Sequence, residues 1–501
     1  MNKNLLFFID VAPGSGRGHL VRTLQIIKQF KKTKWNINIV VEKCELDIYL
    51  VQLKKIAKTF NLIDQKQIIS IRSILVIAER IECEYVIIDS YKVDYSEITS
   101  LEKFKIYRII DSPVSSIKYI EDIKVGIRFG LQNTDKGPKI LYPMRKIARV
   151  RPKITSRKKI LFYFGNEPNK KAIGDTVKII HKLPLDIEAY IYAPKITSRS
   201  GRINYIDSID SIISHISLII GSASNIMYES AMLNIPIITI STNYSQVNQD
   251  EELMQIGAVF NLSTSDLHES SEMADLICRV LFNIKPIQQF TKKNKKNIHT
   301  ESSKFIANQI VGNQVVAKNE ENHFKLKLVN NSKSQLDIRK LELSDINELI
   351  KWRNSSEVRK LMSSTKEISK LSHYNWWFEN TRSNYVLHLD NKPHLYLWHQ
   401  LIIENNEEIF VGGWMPMTSK LSPLVIIDAL NWQLKFTHSL SKDAIWLAII
   451  NKENAFTNFI NARLGFENID DQSEMKNKAV KIFNIASNIE NFYFYQYNFT
   501  S

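Results

Sequence analysis

His19 stands in the run Gly16-Arg17-Gly18-His19-Leu20-Val21-Arg22, nine residues after Asp10 and just downstream of the apolar segment Leu5-Leu6-Phe7-Phe8-Ile9. Beyond it, Leu20, Val21, Leu24 and Ile27 recur at helical spacing. The pattern predicts a strand, a glycine-rich loop and the start of a helix. Glycines let a backbone approach a ligand closely, and the unpaired N–H groups of a new helix favour an anion. A histidine in such a loop is a candidate acid or base beside a phosphate ester or a sugar. Short glycine-rich turns after strands are also common without any catalytic role, so the rest of the chain has to weigh in.

A companion segment lies about two hundred residues downstream, at Leu218-Ile219-Ile220-Gly221-Ser222-Ala223-Ser224-Asn225-Ile226-Met227-Tyr228-Glu229. It too predicts strand, small-residue turn and helix. The Ser222 and Ser224 hydroxyls with the following N–H groups suit a diphosphate. Glu229, two turns into the helix, is placed to accept bonds from ribose hydroxyls. After Pro236 and the strand Ile237–Ile240 come Asn243-Tyr244-Ser245-Gln246, a loop offering amides to a base or sugar. Taken singly, these pieces also fit a helix N-cap, a surface glutamate and a polar turn.

The elements that position these residues repeat twice. Apolar strands at Leu5–Asp10, Ile37–Val41, Tyr85–Asp89 and Lys105–Asp111 alternate with helix-length segments. A second series follows the basic stretch around Pro152, with strands at Lys159–Phe164, Ile187–Tyr192, Leu218–Gly221 and Ile237–Ile240. Alternation of this kind predicts parallel sheets wrapped by helices, with a ligand cleft at the carboxyl ends of the strands. A helix near Glu301–Val311 closes the second series, and a polar linker follows. The expected organisation is a Rossmann-like domain over 1–150, a second over 151–316, a linker over 317–334, and a smaller α+β domain over 335–501. Seven of the eight tryptophans fall in that last part, which marks it as a separate composition.

Composition narrows the class of protein. At 501 residues the chain needs more than one core. No stretch approaches the ~20 apolar residues of a membrane span, and the first four residues lead straight into a strand, unlike a signal peptide. Three scattered cysteines, Cys44, Cys83 and Cys278, fit a reducing cytoplasm and supply no metal spacing. The net charge of +15 is spread widely, with basic clusters at Arg145–Lys159 and at Lys292-Lys293 with Lys295-Lys296. These clusters carry few of the interleaved aromatics of a nucleic-acid groove, so solvated faces and a general pull on anionic substrates are expected, with peripheral attachment to an acidic membrane left open.

Together, Asp10, Gly16-x-Gly18-His19-x-x-Arg22, Ile87-Ile88-Asp89-Ser90-Tyr91, Asp111, Ser222-Ala223-Ser224, Glu229, Gln246, Leu253 and Gly257 resemble the UDP-sugar hydrolases of pseudaminic acid biosynthesis, relatives of the MurG-like glycosyltransferases with the two-domain GT-B fold. The resemblance spans about residues 5–310. It implies hydrolysis of UDP-2,4-diacetamido-2,4,6-trideoxy-β-L-altropyranose, with UDP leaving under inversion, no cofactor and no metal. It makes His19 the base that deprotonates water, with Tyr91 in the sugar pocket and Asp10 in the same catalytic group. Gly16, Gly18, Arg22, Ser222, Ala223, Ser224, Asn225, Glu229 and Gln246 form the implied substrate and nucleotide set. Gly165-Asn166-Glu167-Pro168 stands where that family carries Gly-Gly-Thr-Asp, and Ser245-Gln246 where it carries Asn-Gln. A GT-B glycosyltransferase using a nucleotide-activated sugar in surface-glycan assembly is the alternative.

The last part resembles GNAT N-acetyltransferases acting on amino sugars, through Leu336-x-Ile338-Arg339-x-Leu341, Trp352-Arg353-Asn354, His373-x-x-Trp376-Trp377-Phe378, Asn454 and Leu464-Gly465-Phe466. That resemblance implies acetyl-CoA as cofactor and makes His373, Trp377 and Asn454 pocket residues. The glycine-rich pyrophosphate loop of such enzymes is replaced here by Met417–Ile426, which has no glycine and carries Pro423. A scaffold that no longer transfers acetyl groups, serving in acceptor recognition, is the other reading.

Overall fold

A computed structural model describes residues 3–9, 18–31, 35–42, 48–63, 69–98, 103–145, 158–165, 170–194, 199–242, 246, 249–312, 336–360, 362, 365–390, 392–419, 421–485 and 489–499. Asp10, Gly16 and the 317–334 segment lie outside the described residues. The chain divides into two compact units, Met1–His323 and Phe324–Ser501.

Among the described residues the first unit carries two large sheets, besides a two-residue parallel pairing of Ile69–Ser70 with Val93–Asp94. Strands β1 (Lys3–Ile9), β2 (Trp35–Glu42), β3 (Thr59–Ile63), β4 (Tyr85–Asp89), β5 (Lys105–Ile110) and β6 (Ile120–Lys124) lie in the order β3-β2-β1-β4-β5-β6, all parallel. Strands β7 (Lys158–Tyr163), β8 (Ile187–Tyr192), β9 (Ile203–Ile206), β10 (Leu218–Ser222), β11 (Ile237–Ser241) and β12 (Phe260–Ser263) repeat that order as β9-β8-β7-β10-β11-β12, with the two-residue Arg199–Ser200 antiparallel at one edge. This is the doubly wound Rossmann-like arrangement predicted from the alternating pattern, present twice as a GT-B-type pair. The first strand reads as a continuous apolar run because both faces are covered. Leu5, Phe7 and Ile9 enter one core, while Leu6 and Phe8 enter another. The unpredicted strands β3, β6, β9 and β12 are four or five residues long, and β6 mixes in Glu121 and Asp122, so no run of apolar residues announces them.

Four helices of this unit matter below: α1 (Gly18–Phe30), α2 (Asn225–Leu233), α3 (Ile284–Asn294) and α4 (Ser302–Ile310). Helix α4 departs from expectation. The sequence attached it to the second sheet, but Ile306, Ala307 and Ile310 pack with Leu20, Leu24 and Ile27 of α1 in the core of the first. Its apolar face, spaced for a helix, could not reveal which of two similar cores it would fill.

The second unit is α+β. Strands β13 (Asp337–Lys340), β14 (Ser383–Leu389), β15 (Lys392–Glu404), β16 (Glu407–Pro416), β17 (Ile445–Asn451) and β18 (Phe492–Asn498) lie in that order, with Glu467–Asn468 beyond β18. Neighbours are antiparallel except β16 and β17, which run parallel for only three residue pairs, Ile409–Val411 against Ile445–Leu447. Helix α5 (Lys370–Glu379) precedes β14, α6 (Pro423–Leu440) joins β16 to β17, and α7 (Ala455–Arg463) follows β17. Ile426, Ala429 and Leu430 of α6 bury against Leu395 and Leu397 of β15. This is the GNAT-like layout. No helix among the described residues is long and apolar enough to cross a membrane.

Candidate active site

In each parallel sheet the strand order reverses between two central strands, and crevices open at their carboxyl ends. In the first sheet the reversal falls between β1 and β4, in the second between β7 and β10. The predicted residues collect at both places. Helix α1 begins at Gly18 after β1, and Asp89 ends β4. Helix α2 begins at Asn225 after β10 and the Ser222–Ser224 turn.

The two turns face each other. A side chain placed on Gly18 would lie 3.8 Å from Asn225 Oδ1, in ordinary contact. The opening glycine of α1 and the first residue of α2 are therefore neighbours, so two helix N-termini converge on one cleft. The Tyr142 hydroxyl donates to Asn225 Oδ1, and its ring stacks on Tyr228 with centroids 4.0 Å apart and planes 6° apart. Tyr228 Oη accepts from the Ile127 N–H at 2.9 Å. These contacts tie the segment after the first sheet to the helix of the second. Gly221 is required by packing: a Cβ there would sit 2.0 Å from the Tyr163 carbonyl oxygen.

His19 is 2 % exposed, and its Nδ1 lies 2.5 Å from Asp89 Oδ1. Arg22, one turn further along α1 and 1 % exposed, lies against the same carboxylate: Nε is 2.9 Å from Oδ2 and Nη2 2.5 Å from Oδ1. Arg22 Nη1 reaches Asp111 Oδ2 at 2.5 Å, and Thr23 Oγ1 donates to Asp89 Oδ2 at 2.5 Å. Tyr91 donates to the other oxygen of Asp111 and sets its ring edge-on to His19, centroids 4.7 Å apart. Burial alone would raise the Asp89 carboxyl, but the Arg22 guanidinium and the hydrogen bonds from Arg22 and His19 outweigh it and hold Asp89 well below the usual carboxylate range. Asp111 is lowered in the same way, against burial, by Arg22 and the Tyr91 hydroxyl. Tyr91 is raised by burial and by Asp111, so it stays a hydroxyl. An ionised Asp89 can only accept, so His19 Nδ1–H donates to it. Arg22 Nη2, 3.0 Å from that ring nitrogen, shares the Asp89 oxygen and does not bond the ring. His19 Nε2 makes no hydrogen bond with any described residue.

The second turn is held from behind. Gln246 Nε2 donates to the Ala223 carbonyl at 3.0 Å, while its Oε1 accepts from the Thr242 N–H at 2.8 Å. Gln246 thus shapes the turn through its backbone. Ser222 donates to Ser224 at 3.3 Å, and Ser224, at the N-cap of α2, makes no side-chain capping bond, which leaves the first N–H groups of α2 to a ligand. Glu229 is placed otherwise than the sequence suggested. It is 2 % exposed and clamped by Arg145, Nε to Oε1 at 2.8 Å and Nη2 to Oε2 at 2.5 Å. A guanidinium bound to both oxygens leaves fewer lone pairs for ribose hydroxyls. Arg145, Asp89, Asp111 and Tyr142 complete the site; Asp89 and Asp111 carried a signal as strand-end aspartates, and Arg145 as the first residue of a basic cluster.

In the second unit the three predicted residues do not line the cavity between β16 and β17. His373 Nε2–H donates to the Ile346 carbonyl at 2.9 Å, and burial pushes its pKa down to about 4. Asn454 is the N-cap of α7, accepting from the Thr457 N–H at 3.1 Å, and Trp377 is half-buried on α5. A cavity of about 40 Å³ lies where β16 and β17 separate, lined by Gly412, Gly413, Trp446, Gln433 and Asn461. A Cβ on Gly412 would meet the Trp446 ring at 2.5 Å, so glycine is needed for that ring to pack beside the cavity. The fit to an acetyl-CoA pyrophosphate is poor at the adjacent helix start. Pro423 opens α6 without an N–H, which removes one donor that a phosphate would use. The volume accommodates about one water.

No family model matches the chain, and no curated protein matches it. Among solved structures it is similar to the calicheamicin glycosyltransferase CalG4, with 9 % identity over 63 % of this chain and 100 % of that one, TM-score 0.41. It is also similar to S. aureus MnaA solved with UDP, with 13 % identity over 62 % of this chain and 97 % of that one, TM-score 0.42. A third similarity is to AAC(6')-Ib solved with ribostamycin and coenzyme A, with 11 % identity over 27 % of this chain and 84 % of that one, TM-score 0.24. These are loose superpositions, so the chemistry is argued from the side chains.

Proposed function

We propose that the first unit is a nucleotide-sugar enzyme that releases UDP from a UDP-2,4-diacetamido-trideoxy sugar by attack of water, as in nonulosonic acid biosynthesis. The carrying observation is the convergence of the α1 and α2 N-termini beside a histidine whose Nδ1 is held by an ionised aspartate. Helix N–H groups and the Ser222 and Ser224 hydroxyls would take the diphosphate. Asp89 fixes the tautomer of His19, so Nε2 is the basic nitrogen. It takes a proton from water as the water oxygen bonds to the anomeric carbon, and the bond from that carbon to the diphosphate breaks with its electron pair leaving on UDP. Arg22, spent on Asp89 and Asp111, acts as a positioning residue.

Purified protein incubated with candidate UDP-diacetamido sugars, followed by phosphorus NMR, tests this. UDP should appear without any acceptor, and His19→Ala should slow it about 10²- to 10⁴-fold. Release that requires a glycan acceptor would move the reading to glycosyl transfer. For the second unit we propose a GNAT-like scaffold that shapes or recognises substrate. Calorimetric titration with acetyl-CoA checks it, and tight binding would restore the cofactor reading.

A further inference from the structure

A second polar cavity lies at the opposite end of α2 from the turn that faces the cleft. It measures about 540 Å³ and is lined by five lysines, Lys136, Lys139, Lys292, Lys295 and Lys296, together with Met232, Ile298, His299 and Thr300. Met232 belongs to the last turn of α2, a nine-residue helix, so the cavity stands about 10 Å along the helix axis from the Asn225 end. The lysines come from the end of α3, the short turn after it, and the loop before β7.

These lysines are more than a solvated face. Lys139 Nζ donates to the Lys296 carbonyl at 2.9 Å, and Lys295 Nζ lies 3.5 Å from the Met232 carbonyl, so backbone oxygens aim both. Lys136 is paired with Glu301 at 2.6 Å. Among the described residues, Lys292 and Lys296 have no carboxylate partner. His299 also lines the cavity, is 2 % exposed and bonds Asp135 through Nε2 at 3.0 Å. Like-charged side chains converging on a concave space repel one another unless an anion occupies it. The lining contains no phenylalanine, tyrosine or tryptophan ring, so nothing there would stack on a base.

We propose that this cavity is a second anion site, taking a compact diphosphate group, separate from the cleft at the helix N-termini. The same chemistry is offered by a soluble diphosphate and by a phosphate-bearing lipid headgroup. The test uses the full chain with inorganic pyrophosphate in calorimetric titration, and vesicles of phosphatidylcholine with and without phosphatidic acid in co-sedimentation. Lys292→Glu with Lys296→Glu should weaken one of the two interactions at least about tenfold, while His19→Ala leaves it unchanged. Lys292→Gln alone, a milder change at an unpaired surface lysine, should weaken it in the same direction. Loss of pyrophosphate binding assigns the site to a soluble ligand, and loss of vesicle binding alone assigns it to a lipid headgroup. If neither interaction responds to either variant in protein with wild-type circular dichroism, the proposal is overturned.

Discussion

His19 and His399 are each 2 % exposed, yet their surroundings differ in kind. His19 sits in a charged lattice, tied to Asp89, with Arg22 bridging to Asp111 and Tyr91 closing the far side. His399, on β15, stacks on Tyr385 at 5.4 Å and is surrounded by Phe410, Phe436 and Trp446. Neither of its ring nitrogens has a hydrogen-bond partner among the described residues. Burial pushes its pKa down to about 4, with nothing to oppose it. Burial therefore does not decide what a histidine can do. The first is oriented and keeps one nitrogen for chemistry. The second is an uncharged ring in an aromatic box.

The largest effect that would sharpen this contrast comes from Arg22→Met. It leaves Asp89 and Asp111 without their shared cation, and Asp89 is fully buried. The expected loss is about 3–5 kcal/mol, read from the urea midpoint by far-ultraviolet circular dichroism. A loss below about 1 kcal/mol, the scale of an exposed pair, would mean the lattice is not the structural anchor described here.

Acidification should separate the two regions next. The folded pKa values of His373 and His399 lie near 4, below the ordinary histidine value of about 6.5. The unfolded chain then binds more protons between those limits. Stability from these groups is full above the ordinary value and is lost as pH falls from about 6.5 toward about 4. Asp89 and Asp111 are also depressed, but their contribution is full above the ordinary carboxylate value of about 3.9 and is lost only below it. Tryptophan fluorescence reports mainly on the second unit, which holds seven of the eight tryptophans. Its melting temperature should fall between pH 7 and pH 5, and a flat profile would break the comparison.

The smallest effect runs the other way. His399→Phe replaces two unpartnered nitrogens by carbon in a site already lined with rings. It should stabilise the chain by about 1–2 kcal/mol and flatten part of the pH profile, measured by the same fluorescence melts. Destabilisation would show that an ordered water or another group satisfies His399.

Much of the fold was legible because it is local. The runs Leu5–Ile9, Tyr85–Asp89 and Leu218–Ser222 are apolar enough to require cover on both faces. Gly18 and Ser224 mark where helices start, and the repeated alternation led to two parallel sheets. Single residues were harder to read. Asn454, which the resemblance places in a pocket, caps α7, and a polar side chain before a helix suits either role. Helix α4 carried an apolar stripe that fitted either core.

By itself the sequence determined the two strand–turn–helix units, the histidine in the first and the small residues of the second. Short-range sterics and periodicity are written in neighbouring residues. Only the tertiary structure decided what those units meet. Arg145 clamps Glu229 across 84 positions of chain, and Arg22 reaches Asp111 across 89. Five lysines from two separated segments share one cavity. Charge pairing and convergence depend on which surfaces the folded backbone brings within a few ångströms, and no local pattern encodes that distance.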